Sequence, residues 1–569
     1  MPRIALILLA GALCALPALA GDEGTTVTVG GWDASVDGNP ALASEYRSTE
    51  GGLAVGLQTL RLAEPGSLVL DLMFRDTDEQ KHLLDFDIRR FVRSHTSYLA
   101  ITHQLQKDPL DTLAAATRHG RVVWASDLSP GAEYGLAYRD LQHRTEIQPP
   151  SLSALTVGLV FRQQEREGTL QRTTISHCDA CHVVSQARPL DEQTRELGMD
   201  ARWATKRGAV KASYTRRTVS EDIRSISLLY DNALQPELRT PIFDDRLQWD
   251  SAEGPQAVDV RPDLAKNVAK LSASYSDVGG FALGGTGIAQ TTENETAGLE
   301  SSYGAVELHA ARTFGKGFDL RWRGRAYRLD NDDVFIDAVE RKSIAGANAG
   351  KTYRQVYGYD PDYLRESALD RDTVVSDLDL GWKLPGKKGK LRLLWKLEAT
   401  DRESYEVAEG ETSTTSNASG LDWTVRPAKR TRFQVTLREG FVDNPYMLPN
   451  GAYSTLVSSP SASPLSPAAA QYFQSHAARI ADTTADPSRW TELLLRGSYG
   501  FTGGSQLTGS SRFWDGDNDE GDLTDWSKRT QALSVTLSGV ASPTVAWYLT
   551  GAWHDQEIDM PASIPLFDG

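Results

Sequence analysis

Apolar residues recur at every second position through long stretches of this chain, the period of an extended strand with two unlike faces. Near the C-terminus Val545, Trp547, Leu549, Gly551 and Trp553 share one face. Leu391, Leu393, Trp395, Leu397 and Ala399 share another, opposed by Arg392, Lys396 and Glu398. Phe318, Leu320 and Trp322 alternate with Asp319, Arg321, Arg323 and Arg325, so three arginines fall on the face away from the aromatics. They read as the hydrated inner wall of a barrel rather than as a selectivity filter. Runs of the same kind lie earlier, over residues 26–29, 53–62, 67–74 and 98–105.

A soluble sandwich also carries charge on one face; strand length and count separate it from a membrane barrel. Many segments run about 10 residues or more with aromatics near their ends, as a tilted membrane-spanning strand requires. The connections give a second signal. Five are short, over residues 314–318, 384–390, 426–430, 502–506 and 541–544, and long polar ones lie between them, notably 330–370 and 444–487. Outer-membrane barrels alternate short periplasmic turns with long external loops in this way. A propeller or repeat array would show a fixed period, and the sequence has none.

The pattern predicts an all-β fold: a large antiparallel transmembrane β-barrel of roughly 20–24 strands. The Pro- and Asp-rich residues 221–260 read as a long loop, and helical signals are confined to 111–118 and 467–481. With short turns on the periplasmic side, the strand over 545–553 climbs outward and the chain ends on the long-loop side. Single-chain bacterial barrels have even strand numbers. The expectation is therefore a closing strand absent from this sequence, or one strand miscounted.

Composition narrows the class without changing the fold. Of the 569 residues 40% are hydrophobic and 24% charged, and no stretch after the N-terminus approaches the roughly 20 apolar residues of a membrane-crossing helix. Arg3, an apolar run over 4–16 and the small residues Ala18 and Ala20 predict a secretory signal peptide over 1–20, with 21–569 as the barrel of the bacterial outer membrane. Cys14 lies inside that leader, preceded by Leu13 where a lipoprotein signal needs a small residue. Cleavage leaves two of the three cysteines and, with Arg3 gone, moves the formal net charge from -16 to -17. An acidic exported chain argues against nucleic acid as a partner.

The two remaining cysteines stand in His177-Cys178-Asp179-Ala180-Cys181-His182. CxxCH is the signature of covalent haem c attachment: each thiol adds to a vinyl group, and the adjacent His182 reaches the iron as proximal ligand. Residues 177–196 then form a haem-attachment segment between strands. A plain Cys178–Cys181 disulfide and a metal site stay open beside the haem. Four metal ligands drawn from His177, Cys178, Cys181 and His182 would be more crowded than the usual zinc spacings. The polar surroundings differ from those of a thioredoxin-like pair.

His177 adjoins an anchoring cysteine and is poorly placed to reach the opposite haem face. Sixth-ligand candidates are His82, His95, His103, His119 and His143 upstream and Met199 downstream. His103 and His143 come first, because both fall in the N-terminal half that must surround the motif. Histidine would set a lower potential than Met199. Arg188, Arg195 and Lys206 stand near enough in sequence to balance haem propionates, but ordinary solvated charge is the simpler reading.

Residues 162–191, RQQEREGTLQRTTISHCDACHVVSQARPLD, set in a barrel-like chain, resemble the haem-bearing relatives of the MtrB/PioB outer-membrane barrels of porin-cytochrome conduits. In such assemblies a barrel sheathes a multihaem cytochrome that carries electrons between periplasm and exterior. The resemblance implies a multihaem c-type cytochrome as partner. It has two departures: the best-known conduit barrels hold no haem of their own, and they are longer. Distance also calls for a partner, since an apolar band about 25 Å tall is too far for one haem to bridge.

The resulting expectation is a non-enzymatic outer-membrane barrel with one haem c, taking part in electron transfer across or at the membrane. By turn parity the haem segment falls on the long-loop side. A general or solute-specific porin with a Cys178–Cys181 disulfide and no haem is the alternative, and a soluble periplasmic haem enzyme is a third.

Overall fold

The computed structural model describes residues 22–32, 52–63, 66–111, 117–118, 121–122, 124–177, 182–230, 254–315, 317–336, 350–351, 355, 363–365, 367, 369–387, 389–402, 405–406, 413–443, 445, 448–449, 487–518, 526–542 and 545–559. The predicted signal peptide and the helix over 467–481 lie outside these residues, as do Cys178 and Cys181. Of the helix over 111–118, only 111, 117 and 118 are described, and 117–118 are extended.

One sheet of 22 strands makes up the body. Its first third comprises β1 Asp22–Trp32, β2 Gly52–Ala63, β3 Gly66–Asp76, β4 Glu79–Ile88, β5 Val92–Leu105, β6 Trp124–Asp127 and β7 Tyr134–Ile147. Next come β8 Leu155–His177, β9 His182–Ala204, β10 Gly208–Glu221, β11 Leu264–Val278, β12 Phe281–Asn294, β13 Leu299–Phe314 and β14 Phe318–Asn331. The last are β15 Arg371–Lys383, β16 Gly389–Arg402, β17 Ser413–Ala428, β18 Thr431–Asp443, β19 Arg489–Gly500, β20 Gln506–Asn518, β21 Trp526–Ser542 and β22 Val545–Asp559.

All but β6 form an up-and-down meander, each strand antiparallel to the next in sequence. The pattern continues without a crossover to β22. Taking β6 from the sheet's 22 strands leaves 21 in the meander, within the expected range and odd in number. First and last strands therefore run in the same direction. Among the described residues each pairs on one side only.

The register fixes which way every side chain points. On β16, Leu391 and Leu393 stand opposite Trp382 and Leu380 of β15 and opposite Trp423 and Leu421 of β17, so the apolar face predicted from alternation is continuous from strand to strand. Arg392, Lys396 and Glu398 take the other face. The same parity puts Trp547, Leu549 and Trp553 of β22 alongside Leu537 and Leu533 of β21. Near the short-turn rim the outward face is aromatic, with Phe318 stacked on Trp382 at 6.0 Å and Phe281 edge-on to Phe314 at 6.2 Å.

Apolar side chains exposed outward and charged ones turned inward would be inverted in a water-soluble protein; here lipid is the outer solvent. In lipid every backbone polar group must be paired within the protein, and a strand-by-strand ladder does this. A strand of 13 residues such as β15, rising about 3.3 Å per residue and tilted about 40°, stands roughly 33 Å tall and overtops the apolar band.

The five short turns predicted from the sequence fall on one rim. The β11–β12 turn uses Gly279 and Gly280 at φ 60 and 84, and the Asp277 carboxylate accepts the Gly280 N–H at 3.1 Å; two successive positive φ values are the conformation of a type I′ hairpin. The opposite rim carries the long connections, and β22 climbs toward it. Residues 221–260 are not a bare loop: Ile226–Leu228 and Gln256–Val258 pair as a small antiparallel ladder.

Candidate functional site

Two strands depart from the common height of the wall. β8 and β9 have 23 residues each and stay paired in one long ladder up to His177 opposite His182. Their neighbours stop earlier: β7 pairs only as far as Thr169 of β8, and β10 only from Glu192 of β9. Residues 170–177 and 182–191 therefore extend past the neighbouring wall strands β7 and β10 as an arm on the long-loop side, roughly 25–30 Å long at about 3.3 Å per residue. The CxxCH motif sits at its end, with Cys178 to Cys181 joining the paired positions 177 and 182.

The expected attachment segment over 177–196 is corrected by this geometry. Only 178–181 lie between strands, while 182–196 belong to β9. Their polar sequence taken alone reads as a loop. Polar residues are tolerated in this ladder because both faces of the arm are covered by polar segments rather than by lipid.

Gly168 marks the point where the arm leaves the wall. Its φ is +151, and a Cβ there would sit 2.1 Å from the Gly135 carbonyl oxygen. A side chain would force β7 and β8 apart at that level; glycine lets the backbones approach.

On one side, the 106–133 connection clamps the arm. β6 runs parallel to β9 over His182 to Ser185. The Leu128 N–H donates to Ser185 O at 2.8 Å, and the Ala187 N–H to Ser129 Oγ at 3.0 Å. Gln171 reaches across the ladder: its amide donates to Asp108 O and Ser185 Oγ, both at 2.8 Å, and accepts the Asp108 N–H at 2.7 Å. Lys107 pairs with Asp127 at 2.8 Å, and this ammonium holds the Asp127 carboxyl below the usual carboxylate range.

On the other side, the 222–263 connection is tied down by charge. Asp259 accepts from Arg172 at 2.6 and 3.1 Å and from Arg188 Nε at 3.0 Å. Arg172, then Arg188, hold the Asp259 carboxyl down to about 2 against the desolvation that opposes them. Arg188 is wholly buried, so its simpler sequence reading as solvated charge is wrong. Its Nη2 has no hydrogen-bond partner among the described residues, and the Asp259 carboxylate balances its charge. Leu190, Val184 and Leu228 are buried as well.

His182 is half-buried at the arm's end, with its Nε2 2.8 Å from Ser126 Oγ on β6. Nothing in the sequence marks Ser126. It is brought to the site by the parallel pairing of β6 with β9.

The structure does not bring the preferred sixth-ligand candidates to the tip. His103 stands opposite Leu136, which stands opposite Gly168. Nine steps along β8 separate position 168 from 177, about 30 Å of strand. His143 is farther away, opposite Phe161 on the outward face, with its ring nitrogens 2.8 and 2.9 Å from the hydroxyls of Thr96 and Thr145. Met199 is exposed on the outward apolar face opposite Leu159, far down the wall. His82 stacks on Tyr98 at 5.7 Å, and His95 sits against Asp85. His119 lies outside the described residues.

The wall defines the class: this is a β-barrel of the bacterial outer membrane. No helix among the described residues is long and apolar enough to cross a membrane; the strands make the crossing. No family model and no curated protein matches the chain. Among solved structures, the copper transporter OprC aligns over 93% of this chain and 73% of its own, with 9% identity and a TM-score of 0.44. The FrpB iron transporter from Neisseria meningitidis aligns over 95% and 83%, with 7% identity and a TM-score of 0.42. The ferric-catecholate import receptor Fiu from K12 E. coli aligns over 94% and 82%, with 9% identity and a TM-score of 0.38. At these scores the likenesses say nothing about cargo, and the resemblance to conduit barrels rests on residues 162–191 and the barrel-like chain around them.

Proposed function

We propose that this outer-membrane barrel carries one covalent c-type haem at the end of the β8–β9 arm and takes part in electron transfer on the long-loop side, with a multihaem c-type cytochrome as partner. One observation carries the reading. A complete CxxCH motif occupies the end of a two-stranded arm that projects past the rim and is clamped on both faces. Cys178 and Cys181 would hold the haem, and His182 would ligate the iron, which when bound supplies a one-electron couple.

His182, the described member of the set, would fit that group with one adjustment. His182 Nε2 must exchange its bond to Ser126 Oγ for the iron, giving up about 1 kcal/mol of net hydrogen-bond stabilisation. The arm would hold the group outside the apolar band. A haem there serves one face of the membrane, and a partner must span the rest.

The test is a pyridine haemochrome assay on detergent-purified protein. One haem per chain that resists acid-acetone extraction is expected, and none in the Cys178→Ser, Cys181→Ser double variant. Haem-free protein with both thiols oxidised would instead establish the porin with a Cys178–Cys181 disulfide, the reading that the His182–Ser126 bond favours.

A further inference from the structure

The chain is acidic overall, with a formal net charge of -16, yet the inner face of its wall is not. From β11 to β20 the inward positions carry basic side chains over acidic ones by roughly two to one, as read from the strand register. Most inward carboxylates in that stretch are already neutralised by cations of the same wall. Glu307 pairs with Arg323 at 2.8 Å and Asp319 with Lys390 at 2.8 Å. Glu492 takes both Arg438 at 3.2 Å and Arg512 at 2.7 Å, and Asp379 is engaged by Arg392. Asp422, nearly buried, is hydrogen bonded by Gln434 and Thr436.

Cations remain after that pairing. Lys266, Lys270, Arg321, Arg432 and Arg496 all point inward and have no carboxylate within ion-pair distance among the described residues. They are spread along the path: Arg432 lies just inside the short-turn rim, Arg321 and Arg496 farther up, Lys270 near mid-wall and Lys266 at the long-loop rim. Arg496 belongs to a concavity in the wall whose lining also includes Arg438, Arg512 and Glu492.

We propose that the lumen is an anion-selective path for small ions. Its field comes from a distributed excess of fixed cations rather than from one constriction, and this gives it a recognisable salt dependence. About 21 strands spaced ~4.8 Å apart and tilted ~40° give a backbone radius of roughly 20 Å, or about 13 Å after side chains. The Debye length is about 30 Å at 0.01 M salt, about 10 Å at 0.1 M and about 3 Å at 1 M. At the lowest concentration the wall charge acts across the whole lumen, and at the highest it is confined to the wall. A selectivity filter with charges at contact distance would keep its preference at 1 M.

The full chain is reconstituted in planar bilayers, and the reversal potential is read across a tenfold KCl gradient at several mean concentrations. The expected chloride-to-potassium permeability ratio is severalfold above one near 0.01 M and falls to about one at 1 M. The Arg321→Glu, Arg496→Glu double variant should lower the low-salt ratio at least twofold, with heat-modifiable gel mobility confirming that it is folded. A low-salt ratio at or below one, a ratio that does not fall with salt, or a folded double variant with unchanged selectivity would each overturn the proposal. None of these results depends on haem.

Discussion

Asp259 holds the 222–263 connection onto the arm, and its loss should be felt locally and strongly. Arg188 is wholly buried, and among the described residues Asp259 is its only carboxylate partner, so Asp259→Ala leaves an uncompensated buried guanidinium. Breaking such a pair costs about 3–5 kcal/mol, whereas the half-exposed Arg172 adds about 1 kcal/mol or less. The barrel wall does not share this bond. The perturbation should therefore appear as opening of the arm, not as unfolding. Hydrogen exchange at 184–190 and 256–263, followed in detergent, should speed up by at least a hundredfold, with the wall strands unchanged. Replacing both partners, Arg188→Met with Asp259→Leu, should restore most of the protection, because an apolar pair of similar volume substitutes well for a buried ion pair. Acid provides a second handle. The Asp259 carboxyl is held down to about 2 from 3.8. Its depressed folded-state value makes the stabilisation, about 2 kcal/mol, complete above pH ~4 and progressively lost as pH falls toward 2. If Asp259→Ala changed exchange less than tenfold, or the double variant were looser than the single one, the pair would not be what holds the connection down.

Other substitutions probe the wall and the hinge. Gly168→Val should impair assembly, because a Cβ there falls 2.1 Å from the Gly135 carbonyl oxygen; a lower yield of the heat-modifiable folded band would report it, and normal folding would contradict the close approach. Leu393→Arg, on the outward face, should cost about 2–4 kcal/mol in urea titrations of refolding into vesicles. The inward neighbour Leu394→Arg should cost less than about 1 kcal/mol; equal costs would mean that the faces are misassigned. Ser126→Ala removes the hydrogen bond to His182 Nε2. It should leave the haem stoichiometry of the proposed haem protein unchanged, and loss of haem would give Ser126 a role beyond holding the imidazole.

The wall was legible in the sequence because a two-residue period and a short-turn, long-loop alternation are local signals. The turn predicted over 314–318 is bounded in the structure by Phe314 and Phe318, and the two faces predicted for β16 hold residue by residue. The arm was not legible. Residues 182–196 are polar, and polarity in a barrel sequence signals a loop unless something other than lipid covers the strand. What covers it comes from afar: Asp259 lies 71 positions from Arg188, and Ser126 lies 56 from His182. No periodicity reports contacts of that range. The lone Gly168 within an extended run was the one local clue, since such a glycine signals close backbone approach. The ligand guesses failed to converge for a related reason. A place in the N-terminal half does not bring His103 or His143 to the motif, because the strand pitch separates positions in one ladder by about 3.3 Å for every residue of offset.

Wall and arm are held by different forces, and this bears on function. The wall is a continuous backbone ladder in lipid, where each unpaired group would cost several kcal/mol, so it opens with difficulty and tolerates changes of lumen charge. The arm leaves that wall at Gly168 and depends on the short β6 pairing and on side-chain bonds to two long connections, including an acid-sensitive ion pair. A redox group at its end would be positioned by the clamps, while passage through the lumen would be governed by the wall. Variants that loosen the arm, such as Asp259→Ala, should therefore alter the spectrum or potential of any group at the tip while leaving ion selectivity unchanged. The Arg321→Glu, Arg496→Glu variant should do the reverse. Coupled loss of both properties in either variant would show that arm and wall form one device.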